Sequence, residues 1–199
     1  MFSIWQCCKK NAVLVGTTLL AGLFAELSQM PNIARAQIIP DTTLGPESSQ
    51  FDANRNRIQG GAIRNDILLF HSFEAFNVPA GERIEFRPDN AIESIFTRVT
   101  GDSVSNILGT IGIRHRGDAD LFLINPNGIV RGPNAALDID GSFLGSTADG
   151  IQFENFVFSA NDNDTVLPDE LMVVQPSALL FTALTPAPIN SRANQLRVD

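Results

Sequence analysis

The 199-residue chain has no tyrosine, one tryptophan and two cysteines. Trp5, Cys7 and Cys8 lie in the first eight positions, and the only lysines are Lys9 and Lys10. From Gln37 onward there is no cysteine, lysine, tryptophan or tyrosine, and phenylalanine is the only aromatic besides His71 and His115. Each absence removes a class of function. Without cysteine there is no disulfide framework and no thiolate metal site, and two histidines cannot build a three-His zinc centre. Without Trp or Tyr, a carbohydrate-binding sandwich lacks its usual stacking platforms. Positive charge is also scarce. Of 14 basic and 22 acidic residues, Lys9, Lys10, Arg35 and Glu26 precede Gln37, which leaves 11 Arg against 21 carboxylates, a net of −10 with His neutral. Such a chain does not bind nucleic acid or anionic lipid through its bulk field. Long hydrophobic runs are missing too. Asn11 to Ala25 is the longest, at 15 residues, short of the roughly 20 a membrane-spanning helix needs. No stable membrane span is expected.

That run has another use. Lys9-Lys10 precede it, and a polar stretch closing on Ala34-Arg35-Ala36 follows. A basic start, a short apolar centre and an A-x-A site describe a secretory signal peptide cleaved after Ala36, which implies Sec export. Cys7 and Cys8 lie before the apolar centre, so they are not lipoprotein acceptors. The mature chain is then the 163 residues from Gln37 to Asp199, long enough for one domain with a sizeable core. Four segments are expected: 1–36 as the signal peptide, 37–55 as a polar lead-in and cap, 56–185 as the main domain, and 186–199 as a proline-containing tail or the start of a passenger.

Between Ile58 and Ala160, short apolar runs alternate with Gly, Asn, Asp and Pro. The runs include Ile67–Phe70, Ile92–Phe96, Ile107–Ile113, Leu121–Ile124, Ala135–Ile139 and Ile151–Phe158. Many short strands with turn chemistry at close intervals predict an all-β fold. Phe70, Phe73 and Phe76 have helix-like spacing, but alternation also fits and Pro79-Ala80-Gly81 ends the segment, so a strand is expected. Several runs are apolar at consecutive positions, and strand-bend units recur every 15 to 25 residues or so. That pattern suits a parallel β-solenoid, in which each coil buries its inward residues on the next. A sandwich or barrel stays open on periodicity alone.

The most informative stretch is Leu121-Phe122-Leu123-Ile124-Asn125-Pro126-Asn127-Gly128-Ile129. Asn125, Pro126, Asn127 and Gly128 match type I turn preferences position by position. Catalytic signals are weak by comparison. Gly101-Asp102-Ser103-Val104 has the look of a lipase-type nucleophile block but lacks the following helix and the distal Asp-x-x-His. His71, beside Phe70 and Phe73, is expected to pack against the core. His115, between Arg114 and Arg116, is expected in a solvated patch on an otherwise acidic domain. Asp118/Asp120, Asp138/Asp140 and Asp162/Asp164 are pairs that suit turns and solvated edges. Asn161-Asp162-Asn163-Asp164 fails the calcium-loop pattern at Val166 and Leu167, and Asn163-Asp164-Thr165 is a formal glycosylation sequon. No catalytic residue, metal or cofactor is expected.

An ordered set of motifs adds to this reading. Phe70-His71-Ser72-Phe73, Phe76-Asn77-Val78, Arg98-Val99-Thr100-Gly101, Leu121 to Ile129, Asn134-Ala135, Leu137-Asp138-Ile139, Gly141-Ser142-Phe143, Ser146-Thr147-Ala148 and Phe158-Ser159-Ala160 occur in sequence. Together they resemble the amino-terminal secretion domain of filamentous-haemagglutinin-type exoproteins, the two-partner secretion or haemagglutination activity domain, in its cyanobacterial wording. The resemblance spans about residues 55 to 185. It implies a right-handed parallel β-helix with an N-terminal cap and a small extra-helical antiparallel sheet. It also implies a non-enzymatic secretion module. Such a module binds the periplasmic POTRA domains of a cognate outer-membrane β-barrel transporter, crosses the barrel extended and folds outside. The exported product is then secreted or cell-surface and adhesive, with host or cell-surface glycans or proteins as further partners. Asn125, Pro126, Asn127 and Gly128 become the candidate transporter-recognition motif. A second Asn-Pro-Asn motif carried by some members is absent from Ala91 to Phe96, and members are usually far longer. The alternative is a secreted β-helix enzyme acting on polysaccharide, which predicts convergent carboxylates with a basic residue beside them in one groove.

Overall fold

A computed structural model describes residues 37–89, 91–114, 117–154, 156–161 and 167–192. The expected signal peptide and its cleavage after Ala36, His115, the Asp162/Asp164 pair and the sequon at Asn163 lie outside the described residues. The strands are, in order, β1 (Gln37–Pro40), β2 (Ser49–Asp52), β3 (Arg57–Gly60), β4 (Ala62–Arg64), β5 (Leu68–Asn77) and β6 (Arg83–Phe86). There follow β7 (Ser94–Val99), β8 (Ser105–Ile107), β9 (Thr110–Ile113), β10 (Asp120–Ile124), β11 (Ile129–Arg131) and β12 (Ala136–Asp138). The last are β13 (Phe143–Ser146), β14 (Gly150–Gln152), β15 (Val157–Ser159), β16 (Ala178–Leu180) and β17 (Ile189–Ser191). Among the described residues the one helical element is a 3₁₀ turn, Gly45–Glu47.

The pairing makes these strands a solenoid with three parallel walls. A long wall stacks β5, β7, β10 and β13; a short wall stacks β8, β11 and β17; a third wall, charged on its outside, stacks β3, β6, β9 and β12. The chain visits long, short and charged walls in turn. Leu68 pairs with Ser94 and Ser94 with Asp120, so these two coils are 26 residues each; Leu121 to Phe143 is a coil of 22. The coils are slightly longer than the sequence spacing suggested. Bends at the corners use residues that belong to no apolar run.

The interior is built by like residues in register. Leu69, Ile95, Leu121 and Phe143 stack down the long wall, and Ile84, Ile111 and Leu137 stack down the charged wall. With Phe73, Phe86, Ile58 and Val99 they form one apolar core. Each large side chain so buried contributes about 1.5–3 kcal/mol. The N-terminal end is closed by antiparallel pairing: β2 on β3, and β1 and β4 on β5. This is the cap the resemblance implied.

A second core lies outside the solenoid. β14 pairs antiparallel with β15 and β16, and this small sheet packs on the outer face of the long wall. There Phe70, Phe96 and Phe122 stack in register, with ring centroids 5.2 and 4.7 Å apart. Phe158 meets Phe70 edge-on at 5.0 Å, and Phe153 meets Phe96 at 5.2 Å. The long wall is therefore buried on both faces, which is why its strands are apolar at consecutive positions.

Candidate functional site

Asn125–Gly128 forms the corner between β10 and β11. The Gly128 N–H donates to the Asn125 carbonyl at 3.1 Å, closing the turn. Asn127 keeps a negative φ, since the described non-glycine residues at positive φ are Asn56, Asn65 and Asp66; the turn is therefore type I rather than type II. Gly128 has φ +118°, and the Pro188 carbonyl lies 3.2 Å from where a Cβ would stand, so this position needs glycine.

Asn125 is fully buried. Its Nδ2 donates to the Ser103 carbonyl at 3.0 Å and to Ser105 Oγ at 2.9 Å, and its Oδ1 accepts from the Asn127 N–H at 2.9 Å. Both amide hydrogens and the oxygen are thus engaged inside the solenoid. Asn127 Nδ2 donates to the Gly101 carbonyl at 2.8 Å. The turn is stitched to the previous coil by these bonds and to the next by the Asn125 N–H on the Ser146 carbonyl at 3.0 Å. Of the four residues, Pro126 and Asn127 are half-buried and form the turn's accessible part.

Sequence reasoning missed a buried polar centre. Arg98 points out of the long wall into the second core and is fully buried. Its guanidinium lies 4.6 Å above the Phe158 ring and donates to Ser72 Oγ at 2.9 Å, to Thr43 Oγ1 at 2.9 Å and to the Ser159 carbonyl. Asp41 completes the group by accepting from Thr43, Ser72 and Thr100 hydroxyls at 2.6, 2.7 and 2.6 Å. Burial raises the Asp41 pKa, but those hydrogen bonds outweigh it and hold the carboxyl below its usual range. The centre ties the lead-in, two long-wall strands and the outer sheet together. The available signal was an arginine within an apolar strand, Ser94-Ile95-Phe96-Thr97-Arg98-Val99, which reads ordinarily as a surface charge.

His71 points into the core, as expected. It packs against Phe73 and Phe86 and lies 3.0 Å from Ser49 Oγ through Nδ1. Burial pushes its pKa down to about 3, so it is neutral and is no acid–base group at neutral pH.

Charged residues meet on the outside of the charged wall. Glu85 accepts from Arg83 Nε at 2.9 Å, Arg114 Nε at 3.0 Å and Arg87 Nη2 at 2.7 Å, and Arg83 also pairs with Asp138. Desolvation raises the Glu85 pKa, but the hydrogen bonds from Arg83 and Arg114 and the charge of Arg87 dominate and hold it at about 2. A Cβ at Gly112 would meet Arg83 Nη2 at 2.8 Å, so glycine leaves the guanidinium room to cross the wall.

The catalytic signals do not converge. Ser103 is followed by β8, not by a helix, and its carbonyl serves Asn125. Asp120 accepts from the Ser142 N–H at 2.7 Å and Asp138 is held by Arg83. Among the described residues no group of three or more His, Cys, Asp or Glu is placed to hold a metal ion.

Comparison with known proteins agrees with the geometry. The family model for the TPS secretion domain matches residues 36–198. No curated protein and no solved structure matches the chain. This family is a secretion module rather than a catalytic one, its members are secreted, and its partner is a transporter. A three-walled solenoid with a capped start, matched along almost its whole length after residue 35, belongs to the TPS secretion domain family of two-partner secretion exoproteins.

Proposed function

We propose that the chain targets itself to a cognate outer-membrane β-barrel transporter and is bound there by the transporter's periplasmic POTRA domains. The match of the secretion-domain family over residues 36–198 carries this reading. Residues 1–36 route the chain through the inner membrane and are cleaved after Ala36. The rest crosses the barrel extended and folds outside, where it acts as an adhesive surface module. Composition is compatible with threading: from Gln37 onward there is no cysteine to form a disulfide, and a net charge of −10 opposes collapse before export. A solenoid adds each coil to the last, so folding keeps pace with emergence.

The Asn125-Pro126-Asn127-Gly128 turn has two successive roles in this scheme. The transporter reads the motif while the chain is extended, because the Asn125 amide is enclosed once the coil closes. After export the same residues lock the corner. Co-expression with the neighbouring barrel tests the main proposal: the chain reaches the medium with the barrel and stays in the periplasm without it. Equal export in both cases sinks it. Asn125→Ala tests the motif. Secretion should fall by more than the loss of folded stability explains; parallel losses would leave the turn a purely structural device.

A further inference from the structure

The geometry points to the outer face of the charged wall as a binding surface for a linear polyuronate, engaged after the chain has folded. Ile58, Ile84, Phe86, Ile111, Ile113 and Leu137 of this wall turn inward. The alternate positions face out, and in register they read Arg57, Glu85, Gly112 and Asp138 across the coils, with Arg83 beside Thr110 and Ala136. Phe86 pairs with Ile113, which sets Arg87 beside Arg114 one residue further along.

Two observations single this face out. First, it runs against the charge of the chain. From Gln37 onward carboxylates outnumber arginines 21 to 11, yet here four arginines meet only Glu85 and Asp138. Glu85 is shared by three of them, so the face keeps an excess of two positive charges. The side chains of Arg87 and Arg114 are 35% and 56% exposed and have donors left over for a ligand. Second, Arg87 and Arg114 stand on adjacent strands about 4.8 Å apart. Like charges opposite one another weaken a sheet, and a broken local rule of that kind is expected where a surface has work other than stability.

The shape selects the occupant. The face is a flat β-wall without an outward aromatic or large apolar side chain, so it lacks the central anchor of a protein interface and the platform for a neutral sugar. What it offers is planar guanidinium forks repeated at strand spacing, which suit carboxylates carried at intervals on an extended polymer. At physiological salt the field of the acidic remainder decays over about 8 Å, so the local excess decides close contact although the net charge is negative.

The test uses the full exported chain with immobilised polygalacturonate and, as the neutral counterpart, dextran. Retention on polygalacturonate at low salt, loss of retention at high salt, and none on dextran are expected. Arg87→Glu with Arg114→Glu should weaken retention at least about tenfold, while Arg192→Glu, away from the face, should not. Because both arginines hold Glu85, Arg87→Gln with Arg114→Gln is run in parallel; if the reversed variant fails to fold, the Gln pair decides, with the same loss expected. No retention at low salt, retention unchanged in the folded variant, or equal retention on dextran overturns the proposal, as does capture of an acidic protein with no polyuronate binding.

Discussion

The long wall and the charged wall share one interior but have opposite exteriors. The long wall carries the Phe70–Phe96–Phe122 stack under a second layer of sheet. The charged wall faces outward with Arg57, Arg83, Glu85, Arg87, Arg114 and Asp138. Both obey the two-residue period of a strand. The difference shows that a coil's inward residues make the solenoid, while its outward residues are free to be committed to a covering layer or to a ligand.

Truncation at matched depth separates the walls most sharply. Phe96→Ala removes the centre of the long wall's outer stack and should cost about 3–5 kcal/mol in chemical denaturation. At the corner where the long wall ends, Asn125→Ala strands the Ser103 carbonyl, the Ser105 hydroxyl and the Asn127 N–H, and a loss of about 3 kcal/mol is expected in the same assay. Acid should also attack the walls in order. His71, inside the long wall, has its folded pKa depressed to about 3 from 6.5. The unfolded chain therefore takes up its proton first, and stability falls as pH drops below 6.5, by about 2 kcal/mol at pH 5. Glu85, on the charged wall, has a folded pKa of about 2 against 4.5, so its contribution is intact above pH 4.5 and disappears only as pH falls toward 2. Denaturant melts at pH 7.5, 5 and 3.5 follow both, and His71→Leu should flatten the upper limb alone. The smallest effect belongs to the exposed side of the charged wall: Arg114→Ala should cost no more than about 1 kcal/mol. Should Arg114→Ala cost as much as Phe96→Ala, the two exteriors do the same work and the contrast is broken.

Much of this was legible in the sequence, for reasons the walls make plain. The consecutive apolar residues of Leu121-Phe122-Leu123-Ile124 signalled a strand buried on both sides, and the structure supplies both sides. The strand reading of Phe70 to Phe76 holds in β5, because alternation places Phe73 inside and Phe70 outside. The Asn125 turn was readable because a type I turn is a local preference of four residues. Arg98 was not, since its burial depends on Thr43, Ser72 and Ser159, each distant in sequence. The arginine cluster was half visible. Arg114 suggested a solvated basic patch, but only the register of β3, β6 and β9 shows that Arg57, Arg83 and Arg87 join it.

The corner between the long and short walls takes Ile124 to Ile129 in one coil, yet in the next it runs from Ser146 to Ile189 and holds the whole outer sheet. Both routes return to the same register, β17 lying parallel on β11. Gain and loss of chain length in evolution is thereby channelled to one gate: a duplication or grafted segment can lodge between Ser146 and Ile189 without shifting any rung, whereas one added residue inside β7 or β10 would turn every later side chain to the wrong side.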